Sequence, residues 1–144
     1  MQIHDPNLHQ QLIEMCDCYL DTDFMAGMRE TVAGGGDSQE DAVKYLALAL
    51  LYALTQKAEK LSIKQKAGEI KAEVKGGEDK ESLPAPPPAL FARVVDLLRG
   101  ILHSEADSEK SQLALGLRSG DVELQVKLKR QEGKESLQFK FPKD

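Results

Sequence analysis

Apolar residues recur along the chain in two rhythms, one helical and one alternating, and the switch between them predicts the elements. Leu8, Leu12, Met15, Cys16 and Tyr19 lie at helical spacing. They predict an amphipathic helix over residues 6–20, with Asp5 as N-cap and Pro6 at the first helical position. Asp21-Thr22-Asp23 interrupts it, and Thr22 or Asp23 caps a short second helix that runs to Val32. Gly34-Gly35-Gly36 then reads as a flexible joint. Ser38-Gln39-Glu40-Asp41 resembles a capping box and opens a helix from Gln39 to about Lys57. Val43, Tyr45, Leu46, Leu48, Leu50, Leu51, Tyr52 and Leu54 cover nearly every face of that helix. A helix apolar all round is buried on more than one side, so this one is expected at the centre.

Residues 60–75 support two readings. Their Lys, Glu and Ala content suits a continued helix. They also alternate, and a two-residue loop at Ala67-Gly68 sets Gln65 opposite Ile70, Ile63 opposite Ala72 and Leu61 opposite Val74. The C-terminal third favours strands. Leu113, Leu115 and Leu117 alternate before Ser119-Gly120, and Val122, Leu124, Val126 and Leu128 alternate after it. A loop at Ser119-Gly120 pairs Leu117 with Val122, Leu115 with Leu124 and Leu113 with Val126. A second loop at Glu132-Gly133 pairs Leu128 with Leu137, Val126 with Phe139 and Leu124 with Phe141. All of these fall on one face of a three-stranded meander.

The two hairpins align at an offset of 52 residues, Leu61-Ser62-Ile63 on Leu113-Ala114-Leu115 and Ala67-Gly68 on Ser119-Gly120. The preceding helices align too, Tyr45-Leu46 on Leu97-Leu98, and Lys80-Glu81-Ser82-Leu83 recurs as Lys134-Glu135-Ser136-Leu137. Such a period marks a duplicated supersecondary unit. Copy one ends in Pro84-Ala85-Pro86-Pro87-Pro88, an edge or a linker, since proline gives no ladder hydrogen bond. Pro88 starts a second apolar helix through Leu102, and Ser104–Ser111 reads as a solvated loop. The expected fold class is therefore α+β: an N-terminal helical segment (1–36), then two duplicated helix-plus-meander units packed as one domain (37–144). Copy one spans about 38–86 and copy two about 88–142, with Gly68, Gly120 and Gly133 at the turns. The first meander is thin, with Gln65 and Ala72 on its inner face, so it should lean on the second or on another subunit. That motivates a homodimer.

Composition narrows the classes. The chain has 144 residues, 41% apolar and 30% charged, with a net charge of −5. That suits one globular domain and disfavours a strongly basic nucleic-acid binder. There is no Trp and aromatics are 5%, which argues against an aromatic-lined cleft. The longest apolar run, Tyr45–Leu54, is about half of a membrane span. No basic stretch followed by an apolar one opens the chain, so no secretory signal is expected. The charge alternates by segment: −7 over residues 1–56, +3 over 57–75, −3 over 76–112 and +2 over 113–144.

Few residue clusters suggest chemistry. His4, His9, Cys16 and Cys18 are metal-ligand types, but Cys-x-Cys inside a helix points its sulfurs about 200° apart. No metal or other cofactor is expected, and reduced thiols in a cytoplasmic protein are the simplest reading. Asp21-Thr22-Asp23 is better explained as a helix cap than as a cation site. The glycine run before Ser38 lacks the lysine of a phosphate loop and is flanked by acids. No serine sits in a nucleophile motif, and His103 ends a helix, where its charge suits the dipole.

The outward faces of the hairpins are basic. Lys60, Lys64, Lys66, Lys71 and Lys75 lie on copy one, and Arg118, Lys127, Lys129 and Lys140 on copy two, interleaved with Glu69, Glu73, Asp121 and Glu123. Of these, Lys64, Lys66, Lys71, Lys75, Lys127 and Lys129 are the candidate partner face. With no outward aromatic to stack on bases, nucleic acid is the weaker use of this face. The expected function is a non-enzymatic cytoplasmic protein-interaction module, adaptor or chaperone-like and self-associating, with no membrane partner. Sheet edges are expected to accept a partner strand. An alternative is an apolar small-molecule site lined by Leu46, Leu50, Leu98 and Leu102.

Overall fold

A computed structural model describes residues 6–34, 38–77, 79–102, 107–117 and 120–142. The Asp5 cap, His4, Gly35-Gly36, His103 and the Arg118-Ser119 pair lie outside the described residues. Three helices come first: α1 (Pro6–Cys18), α2 (Phe24–Ala33) and α3 (Gln39–Thr55). A meander follows, β1 (Lys60–Lys66), β2 (Glu69–Gly76) and β3 (Asp79–Leu83). After α4 (Pro88–Leu102) comes a second meander, β4 (Ser108–Leu117), β5 (Gly120–Gln131) and β6 (Lys134–Lys140). The six strands form one antiparallel sheet in the order β3-β2-β1-β6-β5-β4.

Local chemistry accounts for the helix ends. Asp23 Oδ1 accepts the Ala26 N–H at 3.0 Å, so Asp23, not Thr22, caps α2. Ser38 Oγ accepts the Asp41 N–H at 3.1 Å and starts α3. The far end of α3 closes through Lys57, whose φ of 55° is left-handed. The Ala58 N–H reaches Ala53 O at 2.9 Å and the Lys57 N–H reaches Leu54 O at 3.1 Å. These two bonds are the Schellman pattern, with lysine where glycine is usual.

The alternating reading of residues 60–75 is the one adopted. Gln65 faces Ile70, Ile63 faces Ala72 and Leu61 faces Val74. Ala67 and Gly68 both have positive φ, 52° and 83°, as a two-residue hairpin turn of primed type requires. In the last hairpin Leu128 faces Leu137 and Val126 faces Phe139 as expected. The Leu124–Phe141 pair lies past the end of the ladder, although both side chains are buried.

The β4–β5 hairpin departs from the expected register by two residues. Leu117 faces Gly120, Leu115 faces Val122 and Leu113 faces Leu124. An even shift leaves every side chain on its own face, so alternation carries no information about it. Gly120 becomes the first residue of β5, at φ 133°. Because Leu61 faces Val74 while Leu113 faces Leu124, the hairpins do not share a register at the offset of 52. A second correction concerns the loop expected over residues 104–111. Strand β4 already begins at Ser108, and Ser108, Glu109 and Lys110 face Lys129, Leu128 and Lys127. Polar residues on an edge strand look like a loop in sequence because only the ladder identifies them.

The two meanders do not form separate sheets. Strand β1 pairs with β6 along its whole length, Leu61 facing Phe139 and Ile63 facing Leu137. The thin first meander thus gains its support within the same chain, which removes the stated reason for expecting a second copy. All helices stack on one face. Helix α3 is buried almost continuously from Ala42 to Ala53, as its pattern predicts for a central element. Tyr45 is fully buried and its hydroxyl donates to Pro84 O at 2.6 Å, fastening α3 to the proline linker. Arg99 of α4 stands 3.9 Å from Glu135 on the helix side of β6. Among the described residues no helix is long and apolar enough to cross a membrane.

Candidate functional site

The helices leave the second face of the sheet uncovered, and the ladder dictates what that face displays. Reading across the strands, Lys80 faces Lys75, Lys75 faces Lys60, and Lys60 faces Lys140. Four lysines therefore stand side by side on four adjacent strands, about 4.8 Å apart at the backbone. The row continues through Gln125 and Gln112. The next row on the same face holds Ser82, Glu73, Ser62, Gln138, Lys127 and Lys110. Beyond it come Lys71, Lys64 and Lys129, and then Lys66 and Lys134 near the turns.

All six lysines named from sequence as a partner face, Lys64, Lys66, Lys71, Lys75, Lys127 and Lys129, are exposed on this surface. Lys80, Lys110 and Lys134 belong with them and were missed. Lys80 and Lys134 lie in the recurring Lys-Glu-Ser-Leu segments, and Lys110 lies in the stretch read as loop. Arg118 lies outside the described residues. No Arg and no aromatic residue occupies the uncovered face among the described residues, because Arg130 shares the helix-side parity of Leu128 and Glu135.

Like charges set directly opposite each other destabilise a sheet. Lys60 is the most crowded, with Lys75 and Lys140 on its two flanks. Desolvation first, then the charges of Lys75, Lys64, Lys140 and Lys80, hold its ammonium below the ordinary lysine pKa. Relief from carboxylates is slight. The Lys71–Glu69 pair is 3.9 Å long with both side chains more than 70% exposed, and such pairs contribute little. Ser62, between the lysine rows, is only 8% exposed on a face no helix covers. Its long neighbours cover it, as lysine stems do when their charged heads stay in water.

Where the second meander meets the first, the uncovered face carries a depression of about 370 Å³. Lys60, Lys110, Lys127 and Lys140 line it, with Gln112, Gln125 and Gln138 between them. No carboxylate lines it.

The other candidates fall apart in space. Cys16 is buried in the core, and burial, with Asp17 adding to it, pushes its thiol up to about 12. Cys18 is exposed. His9 Nε2 lies 2.6 Å from Ala114 O on the free edge of β4. No group of three or more metal-ligand side chains gathers among the described residues. His9 also occupies one carbonyl of an edge expected to accept a partner strand. The opposite edge, β3, is five residues long and runs into Pro84. Leu46, Leu50 and Leu98 are fully buried members of the core, with Leu102 packed against them. Gly68, Gly120 and Gly133 all have positive φ.

Comparison with known proteins finds no family model that matches the chain and no matching curated sequence.

Proposed function

We propose that the chain is a non-enzymatic cytoplasmic protein-interaction module, an adaptor or chaperone-like scaffold, whose uncovered lysine face receives an acidic surface of a partner protein. The row Lys80-Lys75-Lys60-Lys140 carries this reading. A solvated sheet face needs polar residues, and alternating charges would serve at lower cost. A row of one sign gains when a surface of opposite sign meets it. The face lacks the aromatic platforms that hold single-stranded bases. The reading moves the partner from the sheet edges to the sheet face, since one edge is met by His9 and the other is short. The two halves are taken as copies of one helix-plus-meander unit, on the recurrence of Lys-Glu-Ser-Leu and the repeated order of elements.

The test is fluorescence anisotropy with a labelled poly-glutamate peptide of about 20 residues, at low and moderate salt. Saturable binding that weakens with salt, and weakens further in Lys64→Glu/Lys71→Glu, is the expected result. Tighter binding to single-stranded DNA of equal length assigns the face to nucleic acid and overturns the proposal. Absence of binding to the peptide also overturns it. So does a solution mass of two chains that falls to one in high salt, which gives the face to a second copy.

A further inference from the structure

The depression shared by β1, β6, β5 and β4 has an order that the rest of the lysine face lacks. Its cations come as two cross-strand pairs, Lys60 opposite Lys140 and Lys110 opposite Lys127. The pairs lie in neighbouring rows, so they approach one space from opposite sides. Gln125 and Gln138, partners of Lys140 and Lys127 in the β5–β6 ladder, stand between them and bring amide donors. A volume of about 370 Å³ falls in the range of small-molecule sites, about 300–1,000 Å³.

We infer that this depression binds a small, multiply charged phosphate-bearing anion, an oligophosphate chain. Four ammonium groups and no carboxylate make it selective for high negative charge. Two like-charged pairs, each unfavourable alone, become favourable when an anion bridges them. The cations are all lysine. Planar carboxylates are best matched by the guanidinium fork, whereas rotatable point charges suit tetrahedral phosphates in a chain. The inference stands apart from the protein-partner reading, because its ligand is small and its residues extend onto β4 and β5.

Isothermal titration of the full chain with inorganic tripolyphosphate, in about 50 mM salt, tests it. One saturable site per chain is expected. Lys127→Gln/Lys140→Gln should weaken binding by about tenfold or more, roughly one charge-assisted hydrogen bond. Lys64→Gln/Lys71→Gln removes the same charge from the same face outside the depression, and should weaken binding by less than about twofold at this screening length. Citrate, with carboxylates in place of phosphates, should bind about tenfold more weakly. ATP distinguishes the source: binding at least as tight as tripolyphosphate points to a nucleotide's phosphate tail, and weaker binding to a free oligophosphate. Either supports the site. Equal losses in the two double variants, equal binding of citrate, or no saturable binding would each overturn it. Circular dichroism of each variant establishes that it is folded.

Discussion

Replacing Lys60 by glutamine should make the protein more stable, and by an amount the ladder sets. Lys60 has a lysine directly opposite on each side, Lys75 and Lys140. Two unit charges about 6 Å apart in water repel by about 0.7 kcal/mol. Two such pairs give roughly 1.4 kcal/mol before screening, and splaying of the long side chains reduces this to about 1 kcal/mol at low salt. Glutamine keeps most of the aliphatic stem, so packing over Ser62 is little changed. For a chain of this length that gain corresponds to a rise in Tm of about 3–4 °C. At about 1 M salt the screening length is near 3 Å and the gain should nearly vanish. The pH dependence has a definite sign. The folded state holds the Lys60 proton less tightly than the unfolded state. Its penalty is therefore full at neutral pH and fades as pH rises toward the ordinary lysine value of about 10.4. Wild type should converge on Lys60→Gln over that range. Urea unfolding at two salt concentrations and at pH 7 and 9.5 measures all three effects. A gain that is absent at low salt, or that survives unchanged in high salt, would refute the reasoning and remove the energetic premise of the proposed face.

Lys57→Gly should stabilise by about 0.5–1 kcal/mol, the left-handed cost of a side chain at φ 55° less the extra unfolded-state freedom of glycine. An unchanged urea midpoint would show that the α3 terminus is not closed as described. Gly120→Val should destabilise by about 1–2 kcal/mol, because φ 133° is closed to a β-branched residue. A melting temperature equal to wild type would place that turn elsewhere. With a thiol-reactive dye at pH 8, only Cys18 should label in the folded protein, since Cys16 is 1% exposed and its thiol is held protonated. Two fast thiols without denaturant would contradict the packing of α1.

Much of this architecture is written in periodicity. The all-round apolar pattern of Val43 to Leu54 required a buried central helix, since no single apolar face exists to orient it. Alternation in Leu61–Val74 and in Leu113–Phe139 fixed which side chains face the helices, because the strand period is two. The same alternation put lysines on the outer face before any coordinates were known. What it cannot carry is a shift of two residues or the choice of neighbouring strand, since neither changes a side chain's face. The β4–β5 register, the extension of β4 back to Ser108 and the β1–β6 junction were therefore settled by tertiary pairing alone. That junction is also what made the candidate site. It set Lys60 beside Lys140, 80 positions apart in the chain, and closed a depression between cations that sequence spacing gives no reason to connect.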